Sequence, residues 1–376
     1  MGGWTALWAR QAGLTTLLAD AWGAGNPRAT SSDETRIIRS SHGADDFYPV
    51  WSRRARDHWL RFGQVWGEEL LIETGALWFA HREDGFETAS AATLTGLGIP
   101  VERLSAPEVA DRWPAIGTVD LAFATFEPEG GLLMARRAVQ AVARAFAVAG
   151  GRFEPTALRP GRVVGRRMVD VIATDGSRRV AGSFVFACGP WLPDLFPGLL
   201  GGLIRVTRQD VLFVGPAAGD SRFGADRLPV WVDYDRAFYG VPAVDGHGFK
   251  LAPDGDGPPF DPTDGERVID PASITAIRPF LADRFPDLAG RPVVETRVCQ
   301  YESTPDTHFI IDRHPELENV WIVGGGSGHG FKHSPRIGEY VVERLLGAPV
   351  GPGEERFSVT RPRGAPAGLR SAAATR

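Results

Sequence analysis

The sequence predicts an α/β protein, α+β in its strand-rich part, in which a doubly wound nucleotide-binding domain interleaves with an antiparallel-sheet domain. Three observations predict it. The chain opens with a helical pattern, a short turn and a buried strand closed by Asp20, the second half of a dinucleotide-binding βαβ unit. Near the other end a buried strand, Val320 to Val323, runs into Gly324-Gly325-Gly326 and then a helix. Between them lie apolar runs that read as antiparallel strands, and 376 residues exceed what one small core holds.

The elements follow in order. Trp4, Leu7 and Trp8 fall at helical spacing within Gly3 to Gln11, and Gly13 is placed to cap that helix. Leu14 to Ala19 reads as a buried strand, and Asp20 at its end suits the ribose hydroxyls of an adenosine. A complete fingerprint would place Gly-x-Gly-x-x-Gly after a first strand. Here Gly2 can only be the last glycine, so the first strand and the first part of the fingerprint are absent. The expectation is a start numbered at an internal Met, with an apolar strand ending in Gly-x-Gly encoded upstream. Arg54 to Trp66 has helical character, Leu71 to Phe79 reads as a strand, and Ala135 to Val148 is an amphipathic helix closed by Gly150-Gly151. Phe184 to Cys188 is a short strand running into Gly189-Pro190-Trp191. Arg205 to Val214 and Leu228 to Tyr239 read as strands of the antiparallel sheet, and a helix covers Ile337 to Leu346. Residues 362–376, rich in Pro, Gly, Ala and Arg, read as a disordered tail.

Composition excludes several classes of function. A net charge of −5 with dispersed charges gives no nucleic-acid footprint. No apolar run reaches the roughly 18 residues of a membrane span, and the N-terminus lacks the pattern of a signal peptide. Two cysteines, Cys188 and Cys299, cannot build a disulfide framework, so a cytoplasmic chain is expected. Of 41 basic residues only Lys250 and Lys332 are lysine. Arginine serves wherever a surface cation will do, so these two point to a need for a compact ammonium with a tunable pKa.

Several segments together resemble the flavin-dependent amine oxidase family that includes monomeric sarcosine oxidase and N-methyltryptophan oxidase, within the D-amino acid oxidase superfamily. They are Ser32 to Arg39, Phe126-Glu127-Pro128 with Gly130-Gly131, Tyr239, and Phe249-Lys250. The most specific is Cys299 to Asp306 followed by His308 to Asp312 and Ser327 to Lys332; Phe357-Ser358-Val359 also fits. The resemblance implies a Rossmann-like FAD-binding domain from 1–48, 126–204 and 295–361, and a substrate domain from 49–125 and 205–294. FAD would be attached covalently through Cys299, with Gly2, Asp20, Thr35, Gly189, Gly328, His329, Gly330 and Phe331 against the cofactor. Cys188 reads as a structural thiol. The glycines from 324 to 330 would offer backbone N–H groups to negative charge on the flavin.

The same resemblance implies roles at the reacting end. Arg39 and Lys332 would grip the substrate carboxylate, a fork and a point charge. Arg36 would lie against the flavin ring, and Tyr239 and Tyr301 would wall the substrate cavity. Lys250 would assist electron transfer to oxygen, which separates an oxidase from a dehydrogenase. The chain departs from the family four residues after that lysine, where sarcosine oxidase has histidine and Asp254 stands here. A carboxylate there could meet the substrate's ammonium or act as a base, or be a turn residue facing solvent.

The expected activity is oxidation of a secondary amine in an N-methyl amino acid by a monomer, with molecular oxygen as acceptor, giving an imine, then an aldehyde, and hydrogen peroxide. No metal is expected. Two alternatives stand beside it: a cyclic imino-acid oxidase on the same residues, and a flavin-free scaffold if Met1 is the true start.

Overall fold

A computed structural model describes residues 1–363; the expected tail falls outside the described residues from 364 on. The first helix, Gly2–Gln11, closes at Gly13 with φ +84°. Trp4, Leu7 and Ala9 turn its apolar face inward. It lies against the helix Ser334–Leu345 at a crossing where a Cβ on Gly338 would come within 2.7 Å of the Thr5 nitrogen. Glycine is therefore what lets these two helices touch.

The strand Leu17–Ala19 pairs in parallel with Arg152–Glu154, reached through the amphipathic helix Ala135–Val148. A second parallel pair, Phe184–Phe186 with Val320–Gly324, is extended by antiparallel Ile310–Arg313. No ladder joins the two groups among the described residues, and the faces they turn toward each other line the main cavity.

An eight-stranded sheet fills the rest. Its order is Val293–Ser303, Arg205–Val214, Phe249–Pro253, Phe238–Val241, Val230–Asp233, Ala76–Ala80, Phe123–Glu127 and Glu102–Leu104. All neighbours are antiparallel except Val230–Asp233 with Ala76–Ala80. Val293–Ser303 crosses the expected domain boundary at 295, and its far end enters the cavity. Under this sheet Trp231 stacks on Phe249 and Phe280 and meets Phe285 at a tilt, with ring centroids 5.0 to 5.9 Å apart.

Three expected elements differ. Leu228 to Tyr239 is a hairpin, Val230–Asp233 and Phe238–Val241. The turn is set by the Asp233 carboxylate accepting from the Arg236 N–H at 3.0 Å, and Ala237 sits at φ +54°. Leu71 to Phe79 splits into Leu71–Ile72 and Ala76–Ala80, which belong to different sheets. The break is Gly75 at φ +75°, where a Cβ would lie 2.2 Å from the Phe126 ring. The helix expected from Arg54 begins at Phe47, because Asp45 accepts from the Phe47 and Tyr48 N–H groups and Tyr48 and Trp51 are buried.

That long helix, Phe47–Trp66, supports the cavity. Trp59 is 1% exposed, packs edge-on to Trp4 and parallel to Phe331 at 5.7 Å, and donates its indole N–H to the Lys332 carbonyl at 2.8 Å. Trp59→Ala is expected to cost about 3–5 kcal/mol in urea unfolding through the cavity it leaves. Trp59→Phe should cost only about 1–3 kcal/mol, the price of an unpaired carbonyl. Equal losses for the two would mean that the ring itself is not what stabilises.

Candidate functional site

A cavity of about 930 Å³ runs from Asp20, past Gly2 and the glycine turn, to the face of the eight-stranded sheet. Asp20 lies at the end of its strand as expected, its carboxylate also accepting from the Trp22 N–H at 2.9 Å. Backbone approaches closely along the middle. A Cβ on Gly2 would reach Ala187 Cβ at 3.1 Å, one on Gly330 would reach Gly326 Cα at 3.0 Å, and one on Gly189 would reach Glu302 and Thr30 oxygens at 3.3 Å. Gly189 and Gly328 hold φ of +54° and +75°. Such a cradle, long and lined by backbone, fits an extended dinucleotide.

At the inner end the side chains are charged. Arg36, on the strand Thr35–Ile38, donates to the Thr30 and Thr35 carbonyls at 2.8 Å and to Asp33 at 3.2 Å. Its Nη2 lies 3.6 Å from the Cys299 sulfur, and its guanidinium stands 6.0 Å from the Phe331 ring centre. Cys299 is buried, in register opposite Gln209 on the neighbouring strand. Burial pushes the Cys188 thiol up to about 12.

Arg39 leaves the same strand and stands 5.2 Å from the Trp78 ring centre. Burial lowers it to about 10 against the opposing pull of Glu127 and Asp254. Glu127 is itself held by the Ser40 and Ser41 N–H groups and the Trp78 indole. Lys332, 3% exposed, follows the glycine turn and donates to the His329 carbonyl at 3.2 Å. Burial and Arg39 hold its ammonium well below the usual lysine range. Two neighbouring buried cations thus border the cavity, and an anion placed between them would relieve both.

Asp254 is 8% exposed and accepts from the Tyr301 hydroxyl at 3.1 Å. It lines the cavity with Tyr239 and Tyr301, so the solvent-facing alternative does not hold. Of the expected site residues, Lys250 and Thr35 do not line the cavity. Lys250 is buried one layer behind, its ammonium bonded to Asp33 and to the Thr35 carbonyl.

The structure adds residues to which the sequence reading gave no role. Asp33 and Glu127 lay inside the recognised segments, and only contact reveals them as counterions. His329 meets His42 and His333, ring nitrogens within 4.8 Å of one another. Arg39 and Lys332 border this cluster, which contains no carboxylate. A divalent ion there would face two buried cations, so the group suits neutral imidazoles. Burial, with these cations, keeps all three well below the usual histidine range.

A parallel-stranded core, a glycine-lined cradle and a charged inner end define a protein fit to bind a dinucleotide. Comparison makes the class specific. The profile of the DAO family, FAD dependent oxidoreductases, matches residues 1–344. The chain belongs to that family and is an FAD-dependent oxidoreductase. It is similar to monomeric sarcosine oxidase of Bacillus sp. (strain B-0618), 29% identical over 369 residues, covering 93% of this chain and 90% of that protein. It is also similar to N-methyl-L-tryptophan oxidase of Yersinia pestis (strain Pestoides F), 28% identical over 348 residues and covering 88% of each. The crystal structure of L-proline dehydrogenase from P. horikoshii shares the fold, with a TM-score of 0.83 at 19% identity over 96% of this chain and 94% of that one. No helix among the described residues is long and apolar enough to cross a membrane.

Glu302 offers a test of the cradle's electrostatics. It lines the cavity, one carboxylate oxygen has no partner, and burial raises its pKa from 4.5 to about 7 against a weak Gly326 N–H bond. The folded state therefore keeps a proton that the unfolded chain loses, so stability falls as pH rises from about 4.5 to about 7. Glu302→Gln should remove that fall and gain on the order of 2–3 kcal/mol over the parent by about pH 8. Parallel urea-unfolding profiles against pH for the two proteins would contradict it.

Proposed function

We propose that the chain oxidises the secondary amine of an N-substituted amino acid, such as an N-methyl amino acid, and passes the electrons to molecular oxygen to give hydrogen peroxide. The observation that carries this reading is the buried pair Arg39 and Lys332 beside Cys299, Arg36 and the Asp254 carboxylate, all at one end of the cradle. The similarity to sarcosine and N-methyltryptophan oxidases supports it.

Arg39 and Lys332 would hold the substrate carboxylate, the fork setting its plane and the ammonium its depth. Tyr239 and Tyr301 would flank the chain beyond it. Asp254, held by the Tyr301 hydroxyl, would pair with the substrate's ammonium and take the proton that must leave nitrogen before the C–H bond is broken. Asp20, Gly2 and the glycine turn with Gly328 and Gly330 would hold FAD along the cradle, and the cofactor would supply the hydride acceptor and the route of two electrons to dioxygen. The substrate ammonium would lose one proton and one hydride in becoming an iminium, and water would then split the iminium into an aldehyde and the shorter amine in its ammonium form. Trp59, Trp78 and Phe331 around the inner end exclude water from this chemistry.

Covalent attachment of the flavin through Cys299 belongs to the same proposal, supported by the Arg36 guanidinium at its sulfur. A second reading, oxidation of a cyclic imino acid, uses the same residues and draws its support from Asp254, which could serve a ring nitrogen equally well. A substrate panel of N-methyl and cyclic amino acids separates the two.

Acid precipitation of the purified protein should leave yellow colour in the pellet, and Cys299→Ser should release it to the supernatant. A colourless protein that takes up no FAD would overturn the cofactor reading, and free flavin from the parent would overturn attachment. Lys332→Met and Arg39→Met should each raise KM for the amino acid by about 10- to 10²-fold, the loss of a charge-assisted bond to carboxylate. For an amine lacking the carboxylate the same variants should change little. Equal losses on both substrates would refute the assignment.

A further inference from the structure

We infer that Asp33 is the positioning residue for Lys250, holding its ammonium in place and in its charged form for the return of electrons to oxygen. The inference rests on the oxidase reading and on the role the family resemblance implies for Lys250, and extends it to a residue of no expected function.

Asp33 carries three independent marks. It is 1% exposed, which a carboxylate tolerates only when cations answer it. Its φ is +77°, a left-handed conformation that costs an L-residue energy and that glycine would adopt freely. Its carboxylate gathers Lys250, Arg36 at 3.2 Å and Arg297 at 3.7 Å, besides accepting the Glu34 N–H at 2.7 Å. A strained, buried anion facing three cations is kept for those contacts.

Lys250 needs it. Its strand is flanked by Arg205–Val214 and Phe238–Val241, so its backbone is fixed on both sides. The groups acting on its ammonium are Asp33 from the loop before Thr35, Arg36 and the Thr35 oxygens from the strand Thr35–Ile38, and Cys299 from Val293–Ser303. Arg297 and Glu34 pair beyond Asp33, and Tyr239 of Phe238–Val241 acts on Arg36. Burial and Arg36 both oppose the charge, and Asp33 is the anion in direct contact. Dioxygen takes two electrons from reduced flavin and two protons to become hydrogen peroxide. The first electron creates negative charge, which a fixed ammonium stabilises only while it stays protonated.

The test compares flavin-loaded parent, Asp33→Asn, Lys250→Met and the double variant. Asparagine keeps the volume and tolerates left-handed backbone; Asp33→Gly, which relieves the strain, serves as the second variant should Asp33→Asn fold poorly. Reoxidation of the anaerobically reduced enzyme is followed by stopped flow from about pH 6 to about pH 10. The parent should be flat through neutral pH. Asp33→Asn and Asp33→Gly should fall by about tenfold or more as pH rises, toward the low, flat rate of Lys250→Met. Thermal unfolding gives a readout without turnover: the single Asp33 variant should melt below the double variant, because only the single one strands a buried ammonium. Flat, parent-like reoxidation in both Asp33 variants, or additive melting shifts, would overturn the inference. If Lys250→Met itself reoxidises like the parent, the role proposed for Lys250 fails, while the melting cycle still decides the pairing.

Discussion

Buried positive charge is the constraint on which the cavity depends. Arg36, Arg39 and Lys332 border one end of it, Lys250 stands one layer behind, and each loses hydration there. The fold answers them unequally. Asp33 neutralises Lys250 and Arg36 by direct contact, and Glu127 and Asp254 act on Arg39 from nearby. Lys332 receives the Glu127 field at a distance and a backbone carbonyl at hydrogen-bond range. In the proposed function a substrate carboxylate would meet this buried charge and recover energy that water can no longer supply.

Holding cations in such a place requires stiff surroundings. Lys250 stands in the middle of an eight-stranded sheet, with hydrogen-bonded strands on both sides. Arg36 stands on a strand paired antiparallel to Gly131–Met134, and Arg39 follows directly after its last residue. Lys332 has no strand, and Trp59 takes that part: its ring packs on Phe331 and its N–H holds the Lys332 carbonyl. The aromatic richness of the sequence is thus spent on both sides of the cavity, in the Trp231 stack beneath the sheet and in the Trp4–Trp59 cluster behind the glycine turn.

Much of this could be read locally. The helix Ala135–Val148, the glycine turn after Val320, and the segments around Arg36, Lys250, Cys299 and Lys332 declare themselves within a few residues, through periodicity or motif. Elements failed to read where a single glycine or aspartate overrode propensity. Gly75 separates two strands that look continuous, and Asp233 folds one apparent strand into a hairpin. The site was less legible where its logic is long-range. Asp33 gains a role only when residue 250 arrives beside it, and His42, His329 and His333 form a group only because distant segments meet.

The sequence by itself determined the chemical inventory: two lysines kept among arginines, a thiol in a specific run, and a half-unit for a dinucleotide. Those depend on residue type and near neighbours, which a linear chain displays. Tertiary structure decided which charge meets which counterion, that Asp254 faces the cavity, and that Lys250 stands behind its wall. Those outcomes depend on distance and burial, because Coulomb interaction and desolvation act through space and take no account of separation along the chain.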